Sequence, residues 1–185
     1  MSRRDAVLEA ALELFEERTY GSTTMPLIAE RAGVGAGTIY RYFPSKEALA
    51  NVIYRDGKEA MGRYLVDGVP GGLDPRAEFT LWWRQLFAFA RDHPAAFAFI
   101  ETHHHAPYLD AESKAVGAPV DVAAVGLVAR AQAAGVVRDG PATELIAMVF
   151  GAFVGLVRAA REGHVTLDDA LRARTEEAIW GLLAP

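Results

Sequence analysis

The sequence predicts an all-α protein, and three observations carry that prediction. Apolar residues recur at spacings of three and four along most of the 185 residues, and nothing alternates convincingly at a period of two. Glycines, prolines and hydroxyl residues punctuate the pattern where helices must start or stop. Hydrophobic residues make up 51% of the chain and charged residues 23%, so a real core is expected and wholesale disorder is excluded.

Val7, Ala11, Leu14 and Phe15 share one face of a first helix, with Glu9, Glu13, Glu16 and Glu17 mostly outside it. Tyr20-Gly21-Ser22 stops that helix, and Thr23-Thr24 offers N-caps for a second one beginning at Met25-Pro26. Gly33-Val34-Gly35 breaks the chain again. A short helix then runs from about Ala36 to Phe43, and Pro44 ends it. Ser45 caps a fourth helix with Leu49, Val52 and Ile53 on its apolar face, continuing weakly to Tyr64. The Gly/Pro-rich stretch from Gly68 to Pro75 is a loop.

Asp74 can cap and Pro75 can open the next helix, where Phe79, Trp82, Trp83, Leu86, Phe87 and Ala90 repeat at three and four. His93-Pro94 is a corner. Phe97 and Ile100 lead a helix to Tyr108, and Pro119 interrupts the following one, which closes at Gly135. An apolar helix spans Pro141 to Arg161. Its uncharged run from Leu145 to Val157 is thirteen residues, short of the roughly 20 a membrane span needs, so it reads as a core or interface helix. Thr166-x-x-Asp169 has the form of a capping box for the last helix, with Leu171, Thr175, Ala178, Ile179 and Leu182 on one face.

Nineteen basic against 24 acidic side chains give a formal charge of −5. Any nucleic-acid partner must therefore be met by a local basic patch, because no global positive field is available. The absence of cysteine excludes disulfides and Cys-ligated metal sites. Met1-Ser2-Arg3-Arg4-Asp5 opens directly into charged sequence with no apolar signal stretch, so a soluble, cytoplasmic chain without a membrane partner is expected.

The segment from Thr24 to Lys46 is the least generic part. Around Gly33 as a turn glycine, Ile28, Ala29 and Ala32 precede and Val34, Ile39 and Tyr42 follow, which is the spacing of a helix-turn-helix. A small residue at Ala29 lets the second helix approach, and Gly33 can accept a positive φ. Val34 and Ile39 anchor that helix and leave its other face for a major groove. A helical hairpin inside a bundle would satisfy the same spacing. Charge placement favours DNA. Residues 1–50 carry six basic and seven acidic groups, yet from Arg31 to Lys46 there are three basic groups and no acidic one. The hydroxyls of Thr38, Tyr40 and Tyr42 accompany them and suit phosphate contacts.

From Thr24-Met25-Pro26-Leu27-Ile28-Ala29-Glu30-Arg31-Ala32-Gly33-Val34 through Gly37-Thr38-Ile39-Tyr40-Arg41-Tyr42-Phe43-Pro44-Ser45-Lys46, the chain closely resembles the TetR (tetracycline-repressor) family. The resemblance covers roughly the first 50 residues. It implies a helix-turn-helix DNA-binding domain over 1–50 and a helical ligand-binding and dimerisation domain over 51–185. It further implies a homodimeric regulator, usually a repressor, that binds a near-palindromic double-stranded operator and responds to a small molecule. Carried onto this chain, Thr24, Tyr40 and Lys46 hold phosphates, while Ala36, Gly37, Thr38 and Arg41 face base edges. Gly35 departs from the family's common serine and supplies no side-chain cap. Ala36 stands where a longer or basic residue is frequent, so base reading rests on Thr38, Arg41 and methyl contacts.

In the C-terminal part, Trp82, Trp83, Phe87, Phe97, Phe150 and Phe153 give an aromatic-rich interior that is either core or ligand pocket. If a pocket, its ligand is bulky and largely apolar. Glu101, His104 and His105 occupy i, i+3 and i+4 of one helix face, a spacing that could hold a divalent metal. No second Glu-x-x-His exists to complete a di-iron site. The favoured reading makes His103 and His104 a polar patch at the pocket edge, with no metal or cofactor bound. A helical metalloprotein or metal-sensing regulator using Glu101 and His103–His105 is the rival. No nucleophile–base pair is legible, so an enzyme is not expected. Gly151 and Gly155, one turn apart in the apolar helix, would let another backbone approach. The resemblance places the last two helices at the dimer interface.

Overall fold

The computed structural model describes residues 2–102 and 107–185, and these fold into ten α-helices with no strand among them. They are α1 (Arg3–Ser22), α2 (Met25–Arg31), α3 (Ala36–Tyr42), α4 (Lys46–Gly62), α5 (Pro75–Asp92), α6 (Pro94–Thr102), α7 (Ala111–Ala115), α8 (Ala118–Ala133), α9 (Ala142–Arg161) and α10 (Asp169–Leu183). A π-helical turn, Arg63–Asp67, follows α4. Packing divides the chain into two compact units. One comprises Met1–Glu59 with His93–Val116, the other Ala60–Asp92 with Gly117–Pro185.

In the first unit, Val7, Ala10, Ala11, Leu14 and Phe15 turn the apolar face of α1 inward, against α2 and α6. Ile28 and Ala29 of α2, Ile39 of α3 and Leu49 and Ile53 of α4 are buried as well. The Phe15 ring stacks on Phe99 of α6, with centroids 5.4 Å apart. Gly57 lets α4 come close to α6, since a Cβ there would lie 2.9 Å from the Ile100 side chain. α1 breaks at Thr19, whose φ of 72° is rare for a residue with a Cβ. Ser45 accepts the Ala48 N–H at 3.1 Å and so caps α4 as its sequence suggests.

In the second unit, Phe79, Trp83 and Phe87 of α5 meet Phe153 of α9 and Trp180 of α10 ring to ring. The Trp83 indole N–H donates to the Arg172 carbonyl at 3.2 Å and to Thr175 Oγ1 at 3.3 Å. Arg76 of α5 joins Glu176 of α10 at 3.1 Å, and its guanidinium lies over the Trp180 ring. Arg138 ties the chain's end to the α8–α9 connection, donating its N–H to the Leu183 carbonyl at 2.8 Å.

Several boundaries differ from the sequence expectation. Pro119 does not interrupt a helix but sits in the first turn of α8, where its missing N–H costs nothing. Before it lies the separate short helix α7, capped by Asp110. Tyr108 falls in a turn and not in α6. Asp168, not Thr166, caps α10, accepting the Leu171 N–H at 2.7 Å. On α10, Leu171 is buried but Ala178 and Leu182 are exposed, so the expected apolar face is only partly turned into the chain. Thr24 stands at the N-cap of α2 without a side-chain capping bond, while the Thr23 hydroxyl is turned to the carbonyls of Leu14 and Thr19.

Two stretches, Ala111–Ala133 and Ala142–Arg161, are long and apolar enough by composition to cross a membrane. The first is broken by the turn at Val116–Gly117 between α7 and α8. The second, α9, holds Leu145, Phe153 and Val157 in the core and leaves Ala147, Met148 and Gly151 exposed.

Candidate nucleic-acid interface

The turn between α2 and α3 forms as its residues require. Gly33 takes a φ of +64°, and the Val34 N–H donates back to the Ala29 carbonyl at 2.9 Å. Ala29 is buried at this crossing, and Ile39 anchors the inner side of α3. What remains outward is the other face. Ala36, Gly37, Tyr40, Arg41 and Tyr42 are exposed and Thr38 is half-buried. Tyr40 keeps 50% of its surface in solvent and Tyr42 43%. Phe43, by contrast, is buried and packs inward. Gly35 caps α3 with an extended backbone and no side-chain bond. A Cβ at Gly35 would meet only the Thr38 hydroxyl at 3.9 Å, so the glycine is not required by crowding. Thr24 is exposed at the entry to α2.

The three cations of this segment do not form one patch. Arg31 donates to both Glu17 oxygens, at 2.8 and 2.9 Å, and to Glu13 at 3.2 Å. Those bonds hold the Glu17 carboxyl below its ordinary value and push the Arg31 guanidinium above its own. Lys46, which the resemblance assigns to a phosphate, donates to the Tyr20 carbonyl at 2.8 Å and the Thr23 carbonyl at 2.9 Å. Its ammonium also lies 4.2 Å from the Tyr20 ring centroid. Lys46, the first residue of α4, thereby ties the start of that helix to the end of α1, beside the connection into α2. Arg41 alone of the three is exposed without an ion pair among the described residues. Arg4, which no sequence motif singles out, lies over the Phe43 ring at the end of α3.

The same unit fastens residues 108–113 to these helices. The Tyr20 and Tyr108 rings stack with centroids 4.2 Å apart. Asn51 of α4 donates to the Tyr108 carbonyl at 2.9 Å and accepts the Asp110 N–H at 2.9 Å. Arg55 reaches Ser113 at 2.8 Å and Asp110 at 3.3 Å. Burial raises the Tyr108 phenol to about 12 and pushes the Tyr20 phenol up as well, the latter helped by the Glu47 carboxylate. Raised phenol values stabilise the fold fully below the ordinary 10 and lose that contribution as pH climbs through 10 toward 12. Thermal melts should therefore hold steady up to about pH 10 and fall above it, in step with phenolate absorbance. The Tyr20 hydroxyl is buried, with the Glu47 carboxylate acting on it. Tyr20→Phe, which removes one of the two phenols, should therefore blunt the alkaline loss.

Of the side chains expected to line a ligand pocket, Trp83, Phe87 and Phe153 come together, fully packed on one another. Trp82 and Phe150 are half-buried in the same unit. Phe97 belongs to the other unit, where it is buried. His103 and His104, with His105, lie outside the described residues. Glu101, the carboxylate of the metal alternative, is instead paired with Lys58 at 2.6 Å in a largely buried ion pair. No cluster of three metal-ligating side chains occurs among the described residues. The described residues thus lend the metalloprotein reading no support.

Comparison with known proteins agrees with this geometry. Residues 7–53 match the family of bacterial regulatory proteins of the tetR family, and residues 58–184 match the tetracyclin repressor-like C-terminal domain. An uncharacterized HTH-type transcriptional regulator of Mycobacterium tuberculosis is 32% identical over 98 residues, 53% of this chain and 48% of its own length. The HTH-type transcriptional repressor KstR2 of Rhodococcus jostii is 40% identical over 76 residues, 40% of this chain and 37% of its own. The chain thus spans about half the length of the first relative, or less of the second. A TetR family transcription regulator from Marinobacter aquaeolei shares the fold at a TM-score of 0.84 and 22% identity, over 98% of this chain and 95% of that one. The two matched segments together take in nearly all of the sequence, and the chain belongs to the TetR family of bacterial transcriptional regulators.

Proposed function

We propose that the protein is a dimeric, cytoplasmic repressor that leaves its operator when a bulky, largely apolar small molecule binds its C-terminal domain. The observation that carries this reading is the outward face of α3. Tyr40, Arg41 and Tyr42 stand exposed there, beside Ala36 and Gly37, whose lack of bulk lets the helix backbone approach base edges. Thr24, Tyr40 and Tyr42 would hold phosphates, with Arg41 and Thr38 reading bases. Lys46 acts through the turn that it clamps. In a dimer, two such helices about 34–36 Å apart would enter successive major grooves of a near-palindromic site.

Small residues on α9 and α10 support dimerisation through the last two helices. Added Cβ atoms at Gly151, Gly155 and Gly181 would meet nothing within 4 Å, so packing inside the chain does not demand these glycines. Exposed Met148 and Leu182 lie on the same two helices. For the effector, the half-buried Trp82 and Phe150 supply aromatic surface in the unit that holds Trp83, Phe87 and Phe153. A coupling of about 1–3 kcal/mol, typical of allostery, would change operator affinity roughly 5–150-fold.

Electrophoretic shifts on the duplex upstream of the protein's own gene and on a shuffled duplex test the residue roles. Tyr40→Phe should weaken binding to both duplexes, whereas Arg41→Ala should also narrow the preference between them. Unchanged affinity in both variants would remove the α3 surface from DNA recognition.

A further inference from the structure

We propose that Arg4, in the first turn of α1, is a phosphate-contacting residue flanking the recognition helix; this rests on the DNA-binding reading and extends it beyond α2 and α3. Charge accounting raises the question. Of the three cations between Arg31 and Lys46, Arg31 is held by Glu17 and Glu13 of α1, and Lys46 by two backbone carbonyls. Arg41 remains. A single cation from this segment of each protomer is sparse against a duplex that carries one negative charge per about 1.7 Å.

Arg4 stands where another is needed. Its guanidinium carbon is 5.6 Å from the centroid of the Phe43 ring. Phe43 is the C-cap of α3, with its N–H donating to the Ile39 carbonyl, and its burial makes the ring a fixed platform. A guanidinium lying on an aromatic face keeps its edge N–H groups available, in the fork geometry that suits phosphate oxygens. Arg4 is itself exposed, and the half-exposed Tyr42 ring lies 6.5 Å from that of Phe43. The cation is therefore continuous with the outward surface of α3. The neighbouring Asp5 is drawn away into the capping box of α1, where it accepts the Ser2 N–H at 3.0 Å.

The test is fluorescence anisotropy of the full chain on the duplex upstream of its own gene and on a shuffled duplex, between about 50 and 200 mM salt. Arg4→Gln should reduce the slope of log affinity against log salt by about 2 per dimer, one contact from each protomer. The ratio of wild-type to variant affinity then shrinks roughly tenfold across that salt range. Preference between the two duplexes stays as in the wild type, because a phosphate contact reads no bases. Arg4→Lys should keep the slope, and Arg84→Gln, an equal charge change on exposed α5, should leave it unaltered. A wild-type slope in Arg4→Gln, or an equal drop in Arg84→Gln, overturns the proposal while leaving DNA binding intact. Failure of the wild type to bind either duplex in a salt-dependent way overturns the DNA-binding reading itself, and this proposal with it.

Discussion

Truncating Trp83 to alanine should cost about 3–5 kcal/mol of stability, the largest single-residue loss expected in this chain. The side chain is only 1% exposed and contacts Phe79, Phe87 and Phe153 ring to ring. Its removal leaves a cavity that α5 and α10 are too well tied to close, since Arg76 and Thr80 of α5 hold Glu176 of α10 independently. Trp83→Phe should cost less, about 1–2 kcal/mol, because a ring is retained while the indole donation to Arg172 and Thr175 is lost. Urea unfolding checks both: the midpoint should fall with the slope unchanged. The same experiment separates core from pocket. A residue lining an open effector site would lose ligand response on truncation with little loss of stability, so a Trp83→Ala penalty under about 1 kcal/mol would contradict the packing described.

Lys46→Met should lower stability by about 2 kcal/mol and weaken DNA binding in parallel. Methionine keeps an apolar stem against the Tyr20 ring but cannot donate to the carbonyls of Tyr20 and Thr23, and so unties the start of α4 from the end of α1. The two roles open to this lysine leave different signatures. A clamp lowers the melting temperature and leaves the salt slope of DNA binding near its original value. A phosphate contact lowers the slope by about 2 per dimer and spares the melt. The geometry predicts the first outcome, and a reduced slope with an unchanged melt would contradict it.

How much was legible in the sequence followed the range of the interactions involved. The helix-turn-helix could be read from residues because its constraints are local: Gly33 for the positive φ, Ala29 for the close approach, Ile39 for the anchor. Caps were readable to within a residue or two. Thr166 and Asp168 both offer a capping oxygen, and only the folded chain shows that Asp168 takes the Leu171 N–H. The basic patch misled for a long-range reason. Glu13 and Glu17 are far from Arg31 in sequence but one packed helix away in space, and the carbonyls that engage Lys46 appear in no residue pattern. The grouping of α6 and α7 with the N-terminal helices was likewise hidden, since it rests on the Phe15–Phe99 and Tyr20–Tyr108 stacks between segments distant in the chain. Aromatic residues at helical spacing read alike as core or as pocket. Three-dimensional packing distinguishes the tightly enclosed Trp83 from the half-buried Trp82.

DNA recognition through α3 is tested by fluorescence-anisotropy titration of the purified protein against the duplex upstream of its own gene, with a shuffled duplex alongside and salt varied. A dimeric regulator reading DNA through α3 should bind the first duplex at least about a thousandfold more tightly than the second, with affinity falling steeply as salt rises. Weak binding that ignores both sequence and salt would contradict it.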